Sequence, residues 1–406
     1  MKYIISEKQY NLISEALGVP DSILVAAEEF YDIFLKDLSS ITKKSNKYQF
    51  GGKIDIVLGD KKKVVLNGYE LDVEVTNLDE FEGPPQIGTM GMYQNFVFDK
   101  KIMMKKIDES SVAEFSISFV AGDEWEPRQL YEYFSKDRDF QVSVLAHELK
   151  HKYDKQVNLI GLIGPDAEYH ASRSVPKFGI DVIDNKFMYY LYYTQLAEDL
   201  VRTTEVASRI KSKNISQSEF IDFLRKNETF QTLVEIKNFT LEKFINEIIK
   251  EMPKVDEIIR MFGDDPNEMD TTDKVVEILN LIQINLVNQK IDAFNDFVGG
   301  PTTNVVNMFR MFGGNIPKED ENVKKVKENF YNYVTKFEGR PLDFFKQEFN
   351  RFNTISNKTI RKLSKLYAMT HKKPTNESII NWNLHMKLME KKNGKKKIES
   401  NLRKLL

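Results

Sequence analysis

Cysteine is absent from this 406-residue chain, which excludes a disulfide framework, a cysteine-ligated zinc or iron site and a thiol nucleophile. Histidine is scarce, with five in all. An excess of one charge is missing too: a net charge of −2 gives the chain as a whole no pull toward nucleic acid or an acidic membrane. No stretch approaches the ~18 uncharged apolar residues of a membrane span, and Met1–Gln9 carries no continuous apolar segment of the kind a signal peptide needs. The expectation is therefore a cytoplasmic protein with no membrane partner. What is present is material for a core, since 41% hydrophobic and 12% aromatic residues suffice for one large or two ordinary domains.

The chain changes character along its length. Residues 2–39 carry apolar side chains at helical spacing, broken at Gly18-Val19-Pro20-Asp21. From 47 to 120 strand signals dominate: Lys53–Leu58 and Leu71–Val75 alternate, Asn67-Gly68 marks a turn, and Phe96–Phe98, Ile102–Met104 and Phe115–Phe119 follow. These predict a twisted antiparallel sheet, with Val112–Val120 as its edge. The Gly/Pro/Met-rich stretch Glu80–Tyr93 reads as a connecting loop. Beyond 210 the pattern is helical, over Ser216–Lys226, Thr229–Met252, Thr271–Val298, Asn304–Phe312, Glu319–Phe337, Pro341–Phe352, Lys358–Thr370 and Ser378–Lys392, and no fixed-period repeat is present. The fold class expected is α+β, with an N-terminal sheet followed by a large helical half. The segments divide as a helical 1–45, an α+β core 46–210 and a helical domain 211–406.

The most informative stretch is His147-Glu148-Leu149-Lys150-His151. Two histidines four apart lie on one helix face, where their imidazoles can close on one Zn²⁺ at roughly 2.0–2.1 Å while the glutamate takes a proton from water at the open position. The preceding Phe140-Gln-Val-Ser-Val-Leu-Ala146 is apolar enough to bury this helix, and Lys150 and Lys152 are expected on its solvent face.

Two histidines do not complete a site. A third histidine six residues on, with glycine midway, would mark a metzincin, but those positions hold Val157 and Asp154. The other common third ligand is a glutamate on a later helix. The segment from Phe187 to Arg209 supplies it, as one long helix or as a turn and a helix starting near Thr194. Glu198 and Glu205, two turns apart, share a face and both could reach the metal; Asp154 and Asp199 are further carboxylates nearby.

With this histidine pair and a downstream glutamate, the sequence resembles the zincin metallopeptidases in the broad gluzincin sense. It looks closest to peptidases of phage genomes, in which the motif is followed by Tyr-Tyr, a short spacer and E-x-x-A-R; Tyr192-Tyr193, Glu198 and Val201-Arg202 match, with valine in place of alanine. The likeness spans residues 110–210 at best. It implies a zinc-dependent endopeptidase acting on protein or peptide, with His147, His151 and Glu198 as ligands and Glu148 as general base. Glu205, in Thr204-Glu205-Val-Ala-Ser208, stands partway toward the N-E-x-x-S-D box of thermolysin-like enzymes. The resemblance also places an oxyanion stabiliser between the two helices, where His170, Tyr169 or one of Tyr189–Tyr193 falls, although an exposed loop histidine is the plainer reading of His170. A viral structural or assembly protein that keeps zinc for stability and binds through its helical half is the competing expectation. The loop Gly263–Asp270 lacks EF-hand spacing, and the basic run Lys387–Lys397 is the one feature that could meet nucleic acid, which is otherwise not expected as a partner.

Overall fold

A computed structural model of the chain describes residues 19–43, 45–59, 64–77, 86–93, 96–99, 104–107, 111–122, 125–154, 175–216, 218–298 and 321–369. The predicted layout of a sheet followed by helices is the observed one. Helix α1 (Asp21–Leu38) leads into strands β1 (Lys47–Leu58), β2 (Val64–Asn77), β3 (Gln86–Tyr93), β4 (Phe96–Asp99), β5 (Met104–Ile107) and β6 (Val112–Ala121). β4 and β5 pair only with each other; the remaining strands form a four-stranded sheet in the order β1-β2-β6-β3.

Alternation decides which face is buried. Along β2, Val64, Leu66, Leu71, Val73 and Val75 point inward and Val65, Glu70, Asp72 and Glu74 outward; along β6, Ala113, Phe115, Ile117, Phe119 and Ala121 point inward. The buried face is covered by α1, whose Phe30 and Phe34, one turn apart, pack at 5.1 and 4.8 Å on the ring of Phe115.

Three expectations about the sheet are corrected. β6 is not an edge: it lies between β2 and β3, so the edges are β1 and β3. Its pairing with β2 is parallel, from Gly68 opposite Val112 to Asn77 opposite Ala121. The long stretch between the two strands supplies the crossover that a parallel pair requires and a hairpin cannot. The stretch read as a loop holds β3, antiparallel to β6 from Gln86 opposite Val120 to Tyr93 opposite Glu114; its glycines, which are poor strand formers, mask it in the sequence. The residues of that loop before Gln86 lie outside the described ones.

Two helices follow the sheet, α2 (Pro127–Lys136) and α3 (138–154). After residue 175 come a π-helical turn, Val182–Phe187, and helices α4 (Met188–Tyr193) and α5 (Leu196–Ser212). Then follow α6 (Phe220–Lys226), α7 (Glu228–Asn238), α8 (Leu241–Lys250), α9 (Met252–Met261), α10 (Thr271–Val298), α11 (Glu321–Val334) and α12 (Pro341–Lys365). The predicted Thr229–Met252 helix is two helices, α7 and α8, with α9 beginning at its last residue; the Asn227 side chain caps α7 and that of Thr240 caps α8, each accepting a backbone N–H of the first turn. Pro341–Phe352 and the predicted helix from Lys358 are one helix, α12, which ends at Lys365 and is followed by a 3-10 turn, Leu366–Met369; Thr370 lies outside the described residues. In α12, Phe345, Phe349 and Phe352 join Phe187 and Phe244 in an aromatic cluster at ring separations of 5.0–5.9 Å. Buried residues from Val19 to Leu366 form one connected core. No helix among the described residues is long and apolar enough to cross a membrane.

Candidate metal centre

α3 carries two faces. Val142, Leu145, Ala146 and Leu149, at helical spacing, are buried in the core; His147 and His151 project from an adjoining face. Its C-terminal end is seated on the sheet. Gly59, at φ +80°, lies so close that an added Cβ would come 2.5 Å from the Tyr153 ring, and Lys152 donates its ammonium to the carbonyl of Val112. This corrects the expectation for the two lysines: Lys150 and Lys152 are 4% and 3% exposed. Lys150 is paired one turn on with Asp154, a local i,i+4 pair; its burial comes from packing that local charge patterning does not reveal. Burial holds the Lys150 ammonium below its usual range despite that partner.

The second half of the centre comes from α5. α4 ends at Thr194, whose hydroxyl donates to the Tyr190 carbonyl at 2.7 Å, so the turn-then-helix alternative is the observed one. Glu198, Arg202 and Glu205 then follow on one face of α5, opposite the histidines. His147 Nε2 and His151 Nε2 are 3.1 Å apart, and Glu198 Oε2 is 3.6 Å from His147 Nε2 while its Oε1 is 3.4 Å from His151 Nε2. A tetrahedral ion bonded at about 2.0–2.1 Å separates its ligand atoms by roughly 3.3 Å. Among the described residues, His147, His151 and Glu198 are the group of three that could hold a metal ion.

Glu205 stands outside that group and behind it, its Oε2 3.5 Å from Nδ1 of His147. A proton on Nδ1 shared with Glu205 leaves the Nε2 lone pair turned toward His151 and Glu198, the orientation that a ligating imidazole needs. The other oxygen of Glu205 accepts from the Thr229 hydroxyl at 2.9 Å, a contact from α7 for which the sequence holds no signal. Arg202 ties the two carboxylates together, at 2.6 Å to Glu198 and 3.1 Å to Glu205, with its guanidinium 4.3 Å from the Tyr193 ring centre.

The charges explain the titration of these groups. Burial pushes the Glu198 carboxyl upward, but Arg202 and the two imidazoles hold it well below the usual carboxylate range. Glu205 is likewise brought down to about 2, against its burial, by the hydrogen bond from His147 and by Arg202. Desolvation lowers His147, yet the hydrogen bond to Glu205 together with the charges of Glu198 and Glu148 raises it on balance. Two carboxylates against one guanidinium leave one uncompensated negative charge, which a protonated imidazole or a cation neutralises. The donor set, two imidazoles and one carboxylate, suits zinc among the common divalent ions.

The other carboxylates named from the sequence are engaged elsewhere. Asp154 pairs with Lys150, and Asp199, 2% exposed, accepts from Thr359 on α12 and pairs with Lys362 at 3.2 Å and Lys358 at 3.6 Å. Glu148 is half-buried and lines a cleft of about 490 Å³ with His147, Phe140, Val144, Tyr189 and Arg202. His170, Tyr169 and the basic C-terminal run lie outside the described residues. Set beside protein-family models, curated proteins and solved structures, the chain matches none of them.

Proposed function

We propose that His147, His151 and Glu198 hold Zn²⁺ and that the protein is a zinc-dependent peptidase with Glu148 as its general base. The observation that carries the reading is the meeting of these three donors from two helices, one of them, His147, lining a cleft that Glu148 also lines. A cation bound there supplies Lewis acidity, which polarises a scissile carbonyl and lowers the pKa of water. The remaining work belongs to side chains. Glu148 accepts a proton from water in the cleft and delivers it to the departing amine. Glu205 fixes the ring and tautomer of His147, and Arg202 holds Glu198 in place, so the donors are set before substrate arrives. Phe140 and Val144 make one wall of the cleft apolar, which reduces competition from bulk water and strengthens the electrostatics inside. Of the tyrosines named as oxyanion stabilisers, Tyr189, Tyr192 and Tyr193 border the same cleft.

The test uses Glu148→Gln. Purified wild type should contain about one Zn²⁺ per chain and cleave a denatured protein mixture, and the variant should keep the zinc and lose cleavage by about 10²-fold or more. Loss of zinc in the variant, or cleavage unchanged, would overturn the assignment of Glu148. Zinc at full stoichiometry with no cleavage by wild type would favour the competing binding protein with a structural metal.

A further inference from the structure

The cleft is unbalanced in charge. Its lining includes four carboxylates, of Glu148, Glu205, Glu228 and Glu235, against one cation, Arg202. That guanidinium is paired with Glu198 and Glu205, at 2.6 and 3.1 Å. Glu228 and Glu235 are exposed and seven residues apart on α7, hence on one face and about 10.5 Å apart along its axis. Glu228 sits in the first turn of α7, at the positive end of the helix dipole. Gln231 and Thr232 fill the same face between them and also border the cleft, so the floor that α7 contributes is polar throughout and acidic at both ends.

Beside α7 the lining is aromatic, with the Tyr189 hydroxyl hydrogen-bonded to Thr232 of that helix. Tyr189, itself 44% exposed, and Tyr192 present rings on which an aliphatic stem can lie and over which a cation is attracted. The cleft already contains one such pairing, the Arg202 guanidinium over Tyr193. Because Glu148 borders the same space, a side chain held between α7 and these rings belongs to a residue close to the bond being cut. An acidic side chain there would face the carboxylates of Glu228 and Glu235 and a guanidinium already paired with Glu198 and Glu205.

Resting on the peptidase reading and deepening it, we propose that this cleft selects a lysine or arginine side chain next to the scissile bond, and that Glu228 and Glu235 are the residues that recognise its charge. A charge-assisted contact of this kind changes binding by about tenfold or more.

Two measurements on the zinc-loaded full chain test this. Cleavage sites mapped in a proteome-derived peptide library should be enriched in lysine or arginine beside the cut bond. The Glu148→Gln protein, titrated by fluorescence anisotropy with an alanine-rich hexapeptide carrying one lysine and with its norleucine analogue, should bind the lysine peptide at least tenfold tighter. The further change of Glu228→Gln and Glu235→Gln, both exposed and the second still able to accept from the Tyr190 hydroxyl, should erase that difference and leave norleucine binding unchanged. Cleavage without basic enrichment overturns the inference and leaves the peptidase reading standing. Selective lysine binding with no cleavage by wild type overturns the peptidase reading and leaves the cleft assignment standing. Equal binding of the two peptides, or none of either, overturns the inference.

Discussion

Arg202 is the residue on which the centre depends for its stability without metal. It is largely buried and pairs with two largely buried carboxylates, and removing one member of such a set costs about 3–5 kcal/mol because the others stay desolvated and unpaired. Arg202→Met should therefore lower the unfolding free energy of zinc-free protein by about that much in urea titrations. The loss should be clearly smaller with zinc bound, since the cation then balances the carboxylates; equal losses in the two states would mean that no cation binds beside Glu198. Glu205→Gln separates the two glutamates. Loss of a partner that only orients a ligating imidazole weakens metal binding by about 10–100-fold, whereas His147→Ala or Glu198→Gln removes a ligand. Competition with a chromophoric chelator should place Glu205→Gln between wild type and those two, and a loss as complete as theirs would make Glu205 a ligand. At this scale the sequence is legible where helical periodicity governs, which is why His147, Glu148, His151, Glu198 and Glu205 can be picked out. It is silent on Thr229, on the burial of Lys150 and Lys152 and on the engagement of Asp199, because the partners of Thr229, Lys152 and Asp199 and the packing that covers Lys150 come from elements distant in sequence.

The elements that carry the centre are each clamped from a different side. α3 is seated on the sheet through Tyr153 against Gly59 and Lys152 on Val112. α5 is fastened to α12 through Asp199, Thr359 and Lys362, one residue from Glu198. Thr359→Val keeps the shape and removes the hydroxyl that Asp199 accepts from, and a buried acceptor losing one partner costs about 1–3 kcal/mol. The urea midpoint should fall accordingly with its slope unchanged, and a change under about 0.5 kcal/mol would show that the lysines alone hold the carboxylate. Element by element, what could be read in advance follows the strength of local signals. α10 has the predicted bounds, Thr271–Val298, since periodicity and its flanks agree. β3 is hidden by its glycines. The Asn353–Asn357 stretch suggested a break inside α12, yet Asn357 donates to the Asn353 carbonyl and the helix continues, packed by Phe352 and Ile360.

In the whole molecule, sheet and helices share one core, and the order of a sheet followed by helices was legible because the hydrophobic period switches from two to 3.6 along the chain. The strand order was not, since parallel pairing depends on what lies between the strands rather than on the strands themselves. The sheet is also tied to α1 by Tyr69, whose hydroxyl donates to Asp37 at 3.0 Å. Burial first, and then this bond to a carboxylate, push the Tyr69 phenol up to about 12; burial and Glu235 likewise push Tyr190 up to about 12. Both phenols stay protonated in the folded chain above pH 10, where the unfolded chain releases those protons. A pKa raised on folding contributes stability that is complete below the unfolded value and lost as pH climbs toward the folded one. Stability should therefore be level with respect to these two groups below pH 10 and decline between pH 10 and about 12. Lys150, held low by burial, contributes the opposite slope, so the clean measurement is a difference. Tyr69→Phe, which has no phenol to ionise, should lose stability less steeply over pH 10–12 than wild type in urea midpoints taken at matched ionic strength. Parallel slopes would mean that the Tyr69 hydroxyl titrates as it does in the unfolded chain and that the tie to Asp37 contributes nothing to holding α1 on the sheet.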